Sequence, residues 1–172
     1  METTKNKMTP TERAFFDRIG AGLDTPLYFY GSIQRPDYFR KHSDIDVDIF
    51  SFHEQAMIHK LAAILNTDIS KFKRIISRPP MTNSVIVGYK YSYKDENLSV
   101  EFSIYNEKYK EHVLKEHRRK FKLPFYLLFP LIILKFIYYR LQILPKNIFI
   151  KCKRFLVNFI DDSEQAFVFL DT

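Results

Sequence analysis

Three aspartates, Asp44, Asp46 and Asp48, stand at alternate positions in "DIDVDIF". Alternate residues of a strand share a face, so the three carboxylates occupy one side and Ile45, Val47 and Ile49 the other. Same-face neighbours on a strand lie about 6.6 Å apart along its axis, and two carboxylates at that spacing can converge on a small cation. Without a cation the like charges would raise one another's pKa. Mg²⁺ suits such a set, because it takes hard oxygen ligands and usually shares them with substrate phosphates. Upstream, Gly31-Ser32 closes the apolar run "PLYFY". A glycine at the end of a buried strand lets backbone approach a ligand closely. The N–H groups that follow, with the serine hydroxyl, can hold phosphate oxygens. A metal-binding strand beside a phosphate-binding turn describes phosphoryl or nucleotidyl chemistry.

Tyr30-Gly31-Ser32, eleven intervening residues and Asp44-Ile45-Asp46-Val47 together resemble the nucleotidyltransferase superfamily related to DNA polymerase beta. That family's pattern is a hydrophobic residue, Gly, Gly or Ser, a gap, then Asp, a hydrophobic residue, Asp or Glu and another hydrophobic residue. "GSIQR" and "SDID" are similar to the two boxes of its small, minimal members. The likeness runs from about residue 9 to residue 105 and is specific at those two boxes. A second register also fits, with Asp46-Val47-Asp48-Ile49 after thirteen residues. Ser43, directly before Asp44, favours the first. Asp48 is then a supporting group, an alternative ligand, or the partner of a nearby arginine.

The resemblance implies catalytic and metal-ligating roles for Asp44 and Asp46, and a third carboxylate on a later strand. Glu101, inside the β-rich run "LSVEFSIY", stands at the expected place in chain order. It implies two ions of Mg²⁺ or Mn²⁺, and a nucleotide held by Gly31, Ser32, Arg35 and Ser43. Arg40 is an alternative phosphate partner, and Pro36 replaces the glycine usual after the arginine. The implied reaction moves an NMP from ATP or another NTP to a hydroxyl of RNA, protein or a small molecule, releasing pyrophosphate. The competing expectation is a weakly catalytic or non-catalytic binding protein on the same fold. It would be attached to a membrane or a large assembly, such as a virus particle, through its C-terminus.

The elements that must position these residues are partly legible. Thr9 and Glu12 have capping-box spacing, with Pro10 at the first helical position and Gly20 as a stop. "PLYFYG" and "DIDVDIF" read as strands, and "HEQAMIHKLAAILN" has helical apolar spacing. "DISKFKRIIS" reads as a second, short helix. "SVIVGYKYSY" and "LSVEFSIY" flank the turn-like "KDEN" and read as a hairpin. From Asn106 the pattern turns helical. The expected fold is α+β: a small mixed sheet with flanking helices over residues 1–106, and a C-terminal helical extension over 107–172.

That extension sets a second theme. The chain has 172 residues and net charge +7, but residues 107–160 carry 13 basic and only 3 acidic side chains. Charge this local suggests an anionic partner. Residues 123–144 are strongly apolar, with Lys135 and Arg140 as their only charges. They read as a buried core helix, an interfacial or re-entrant membrane helix, or a true span. "NIFIKCKRFLVNFI" reads as a basic amphipathic helix suited to its own core, an anionic membrane or a phosphate backbone. Residues 123–160 are thus the candidate contact with a membrane or partner protein. The polar start shows no secretory signal, and lone Cys152 fits a cytoplasmic or otherwise reducing compartment, membrane-associated or not. No Walker A box and no GxGxxG is present. His112 and His117 read as exposed helix histidines.

Overall fold

A computed structural model describes residues 4–77, 85–121, 123–158 and 168–170. The capping box closes as expected. The Thr9 hydroxyl accepts from the Glu12 N–H at 3.2 Å, and the Glu12 carboxylate accepts from the Thr9 N–H at 2.6 Å. Helix α1 (Pro10–Leu23) starts there. It does not stop at Gly20. Phe16, Ile19 and Leu23 continue one buried stripe, and left-handed Asp24 caps the helix instead.

Strands β1 (Tyr28–Tyr30) and β2 (Ile45–Ser51) precede helix α2 (Glu54–Ile64). Then come β3 (Lys73–Ser77), β4 (Ile86–Lys94) and β5 (Ser99–Asn106). The helix expected in "DISKFKRIIS" is absent. A 3₁₀ turn, Ile69–Lys71, leads straight into β3. Ile75 is buried opposite Gly88 on β4, so sheet pairing decides a segment too short to show a helical period. The β4–β5 hairpin forms as expected, and Asp95 Oδ1 accepts from the N–H groups of Asn97 and Leu98 in its turn. Helices α3 (Lys110–Phe121), α4 (Phe125–Phe136) and α5 (Lys146–Asn158) follow, and β6 (Val168–Leu170) adds a last strand.

The sheet order is β1-β2-β5-β4-β3-β6. Only β2 and β5 pair in parallel; the other neighbours are antiparallel. The architecture is therefore a mixed sheet with flanking helices, as the sequence led us to expect. Over β2 and β5 one face is apolar. Ile45, Val47 and Ile49 of β2 and Val100, Phe102 and Ile104 of β5 pack there against Phe16, Ile19 and Leu23 of α1 and Met57, Ile58 and Leu61 of α2. The opposite face is divided. One end is a small apolar cluster of Phe50, Ile75, Ile86 and Tyr105 under Val113 of α3. Gly88 is required here, because a Cβ on it would lie 2.5 Å from the Tyr105 ring that crosses β4. The other end carries the carboxylates.

Helix α4 turns Leu127, Leu131 and Lys135 inward and leaves Phe125, Phe129, Ile133 and Phe136 exposed. Both sets follow helical spacing. Among the described residues, no helix is long and apolar enough to cross a membrane.

Candidate active site

Registers place the acids. On parallel strands β2 and β5, Asp46 pairs with Glu101 and Asp48 with Ser103. Asp44, just before β2, falls beside Ser99, whose hydroxyl donates to Asp44 Oδ1 at 2.6 Å. The three rungs stand on one face, because the side-chain period of a strand is two. Across the other edge of β2, Tyr30 pairs with Asp46.

Gly31 follows Tyr30 and has φ of +71°. A Cβ there would lie 2.0 Å from Asp46 Oδ2. Glycine is thus needed twice, for the left-handed backbone and for room beside the carboxylate. Residues Gly31–Gln34 form a 3₁₀ turn that carries the buried Ser32 past the site.

Electrostatics set Asp46 apart. Burial, then the neighbouring charge of Glu101, push its carboxyl up to about 8; Lys90 and Lys153 pull the other way. Asp44 is exposed, whereas Asp48 is completely buried. Asp48 pairs with a histidine rather than an arginine: His117 Nε2 of α3 lies 2.6 Å from its Oδ2. Burial still holds Asp48 above the usual carboxylate range despite that partner. Its Oδ1 is buried with no hydrogen-bond partner. The His117 ring stacks on Tyr30 with centroids 3.9 Å apart, and the Tyr30 hydroxyl lies 3.4 Å from Ser103 Oγ.

The remaining predicted residues divide. Glu101 is joined to the site but carries an ion pair with Lys90, 2.7 Å away on β4. Arg35 points into an ion pair with Asp37 at 2.7 Å. Asp37 in turn accepts from buried Lys135 of α4, also at 2.7 Å. Burial alone would raise Asp37, but Arg35 and Lys135 together hold it below its ordinary value. Ser43 is buried, and its hydroxyl accepts from the Phe39 N–H at 3.2 Å. Arg40 donates to the Lys7 carbonyl. The structure therefore brings Asp46, Glu101 and Gly31 together, leaves Asp44 exposed at the end of the same face, and gives Arg35, Ser43 and Arg40 protein partners of their own.

Sequence reasoning missed Lys90, His117 and the cleft next to Asp44. This cleft has a volume of about 890 Å³ and lies between the loop before β2, the π-helical turn Ile137–Leu141 that continues α4, and helix α5. Lys41, Lys94, Lys146, Lys153 and Arg154 supply cations, and Tyr138, Tyr139 and Phe149 supply rings. Tyr139 stacks on His42 at 5.0 Å and Tyr138 on Phe149 at 4.0 Å. Basic charge in the C-terminal segment was the available signal, but its position over Asp44 was not.

Among the described residues, no three His, Cys, Asp or Glu side chains gather closely enough to enclose a metal ion. Asp46 and Glu101 nevertheless fit one. They are adjacent hard-oxygen groups, and Asp46 is destabilised as an anion by burial and by Glu101. Mg²⁺ commonly binds through one or two carboxylates and completes its shell with water and phosphate oxygens.

No protein-family profile and no curated protein matches the chain. Among solved structures, the Cid1 poly(U) polymerase crystal structure is similar at 18% identity and a TM-score of 0.39. The match covers 78% of this chain and 43% of that one, so the chain spans less than half the length of that polymerase.

Proposed function

We propose that this protein is a metal-dependent nucleotidyltransferase that moves an NMP from an NTP to a hydroxyl acceptor. The observation that carries this reading is the pairing of Asp46 with Glu101 beside positive-φ Gly31, on the strand face whose first acid, Asp44, lines a basic, aromatic cleft. Residues 1–106 supply the carboxylates, and residues between 138 and 154 supply the other wall of the cleft. The motif resemblance of Gly31-Ser32 and Asp44-Ile45-Asp46 points the same way.

Asp46 and Glu101 would hold the metal, with Asp44 on the same face at the cleft edge. A divalent ion bound there supplies charge neutralisation at the phosphate oxygens and lowers the pKa of an acceptor hydroxyl. Lys94, Lys153 and Arg154 bind the triphosphate, whose charge they offset in a partly desolvated site. The rings of Tyr138 and Tyr139 take the base by stacking. The acceptor oxygen bonds to the α-phosphorus, the bond to the bridging oxygen breaks, and pyrophosphate leaves with its electron pair. Glu101 takes the acceptor's proton.

The test uses the intact protein with an α-labelled NTP, Mg²⁺ or Mn²⁺, and RNA or the protein itself as acceptor. Label is expected to transfer, and Asp44→Ala with Asp46→Ala is expected to abolish transfer while the far-ultraviolet circular dichroism stays unchanged. Equal labelling by the double variant would remove the catalytic assignment.

A further inference from the structure

The outer face of α4 and α5 is unlike the rest of the surface. Phe125, Phe129, Ile133 and Phe136 recur at one-turn intervals along α4, and Phe125 is 76% exposed. Phe155 of α5, 66% exposed, faces them across a groove of about 680 Å³. Phe129, Ile133, Cys152 and Leu156 line this groove, with Lys151 at its edge. Apolar patches this continuous mark an interface rather than ordinary surface.

We propose that this face docks on the surface of an anionic lipid bilayer, with the aromatic stripe in the headgroup region and the cations against lipid phosphates. Three observations select that occupant. The first is charge. Helices α4 and α5 carry no Asp or Glu, Lys151 lines the groove, and Arg140, just past α4, is exposed. Cations without acids beside an apolar face are complementary to anionic headgroups. A second copy of the chain would set the same cations against each other, because a two-fold interface apposes identical patches. The second is length. Helix α4 has 12 residues and its π-helical continuation Ile137–Leu141 another 5, together about 25 Å against a hydrocarbon core of about 30 Å, so it lies along the surface and does not cross it. The third is orientation. Leu127, Leu131 and Lys135 fix the opposite side of α4 to the protein, Lys135 by its buried bonds to Asp37. The stripe is therefore held outward on a rigid helix, and only its outer side chains enter the interface.

The experiment is flotation of the full-length protein with vesicles of phosphatidylcholine alone and of phosphatidylcholine with phosphatidylserine. The protein is expected to float with the anionic vesicles, and high salt is expected to weaken this. Phe125→Ser with Phe129→Ser and Phe155→Ser should reduce partitioning at least tenfold. These side chains are already in solvent, so the fold should persist, and an unchanged thermal midpoint checks it. Lys151→Glu, which leaves the apolar face intact, should lower binding to anionic vesicles about tenfold, since each charge near the surface is worth roughly 1 kcal/mol. Wild-type protein that stays unbound with both vesicle types overturns the proposal. So does equal partitioning of the triple variant, or equal binding to neutral vesicles. A wild-type dimer that the triple variant converts to monomer, without vesicle binding, assigns the face to a second copy instead.

Discussion

Asp46 is a carboxylate that the fold makes uncomfortable. Burial and Glu101 raise it to about 8, above the roughly 4 of an unfolded aspartate. The folded protein therefore holds a proton that the unfolded chain releases over that range. Stability of the metal-free protein should rise as pH falls from about 8 towards 4, and should be lowest where Asp46 is fully charged. Asp46→Asn removes the buried charge and keeps the shape. It should raise metal-free stability at pH 8 by about 1 to 2 kcal/mol and flatten the pH dependence, as measured by urea melts across pH. Mg²⁺ should stabilise the wild type and leave Asp46→Asn nearly unaffected. An Asn variant that is less stable at pH 8 would mean that Asp46 is satisfied by the protein alone. Gly31 belongs to the same argument. Gly31→Ala would strain a φ of +71° and drive a methyl into Asp46, with a cost of about 1 to 3 kcal/mol from the backbone alone. Equal stability of that variant in chemical denaturation would show that the turn relaxes away from Asp46.

At the scale of elements, the position of α4 depends on one buried cation. Lys135 is 2% exposed and donates to both the carboxylate and the carbonyl of Asp37. Truncation to Lys135→Ala leaves a cavity and removes half of the charge that balances Asp37. It should cost about 3 kcal/mol, whereas Lys135→Met fills the space, leaves Arg35 on Asp37 and should cost less. Amide exchange should show α4 losing protection first while β2 and β5 keep theirs. The sequence made Lys135 look like a charge interrupting an apolar run, because its partner lies 98 residues away. His117 was hidden for the same reason, 69 residues from Asp48. Strands β2, β4 and β5 were legible because their alternation is local, and so was the β4–β5 hairpin across its short turn. The parallel pairing of β2 with β5 was not, since it is decided by non-local contacts. The stop of α1 was misplaced because a glycine weakens a helix less than three buried apolar residues support it.

For the whole molecule, the proposed triphosphate site and the proposed lipid-facing stripe meet on one helix. Helix α5 divides the work: Lys153 and Arg154 line the cleft over Asp44, while Lys151, Cys152 and Phe155 line the apolar groove. Two faces of one amphipathic helix thus separate the proposed phosphate site from the apolar groove. Segment charge led to the expectation of an anionic partner, but only the three-dimensional fold assigns Lys151, Lys153 and Arg154 to different sides. The assignment can be tested in the intact chain. Lys153→Ala and Arg154→Ala should each weaken binding of an NTP with Mg²⁺ about tenfold, the usual worth of a hydrogen bond to a charged group. Lys151→Ala should leave that affinity unchanged. Isothermal titration with the three variants reads the difference directly. If Lys151→Ala weakens the NTP as much as Lys153→Ala does, the two sides of α5 act through bulk charge alone. If none of the three changes the affinity, the triphosphate binds elsewhere on the sheet face.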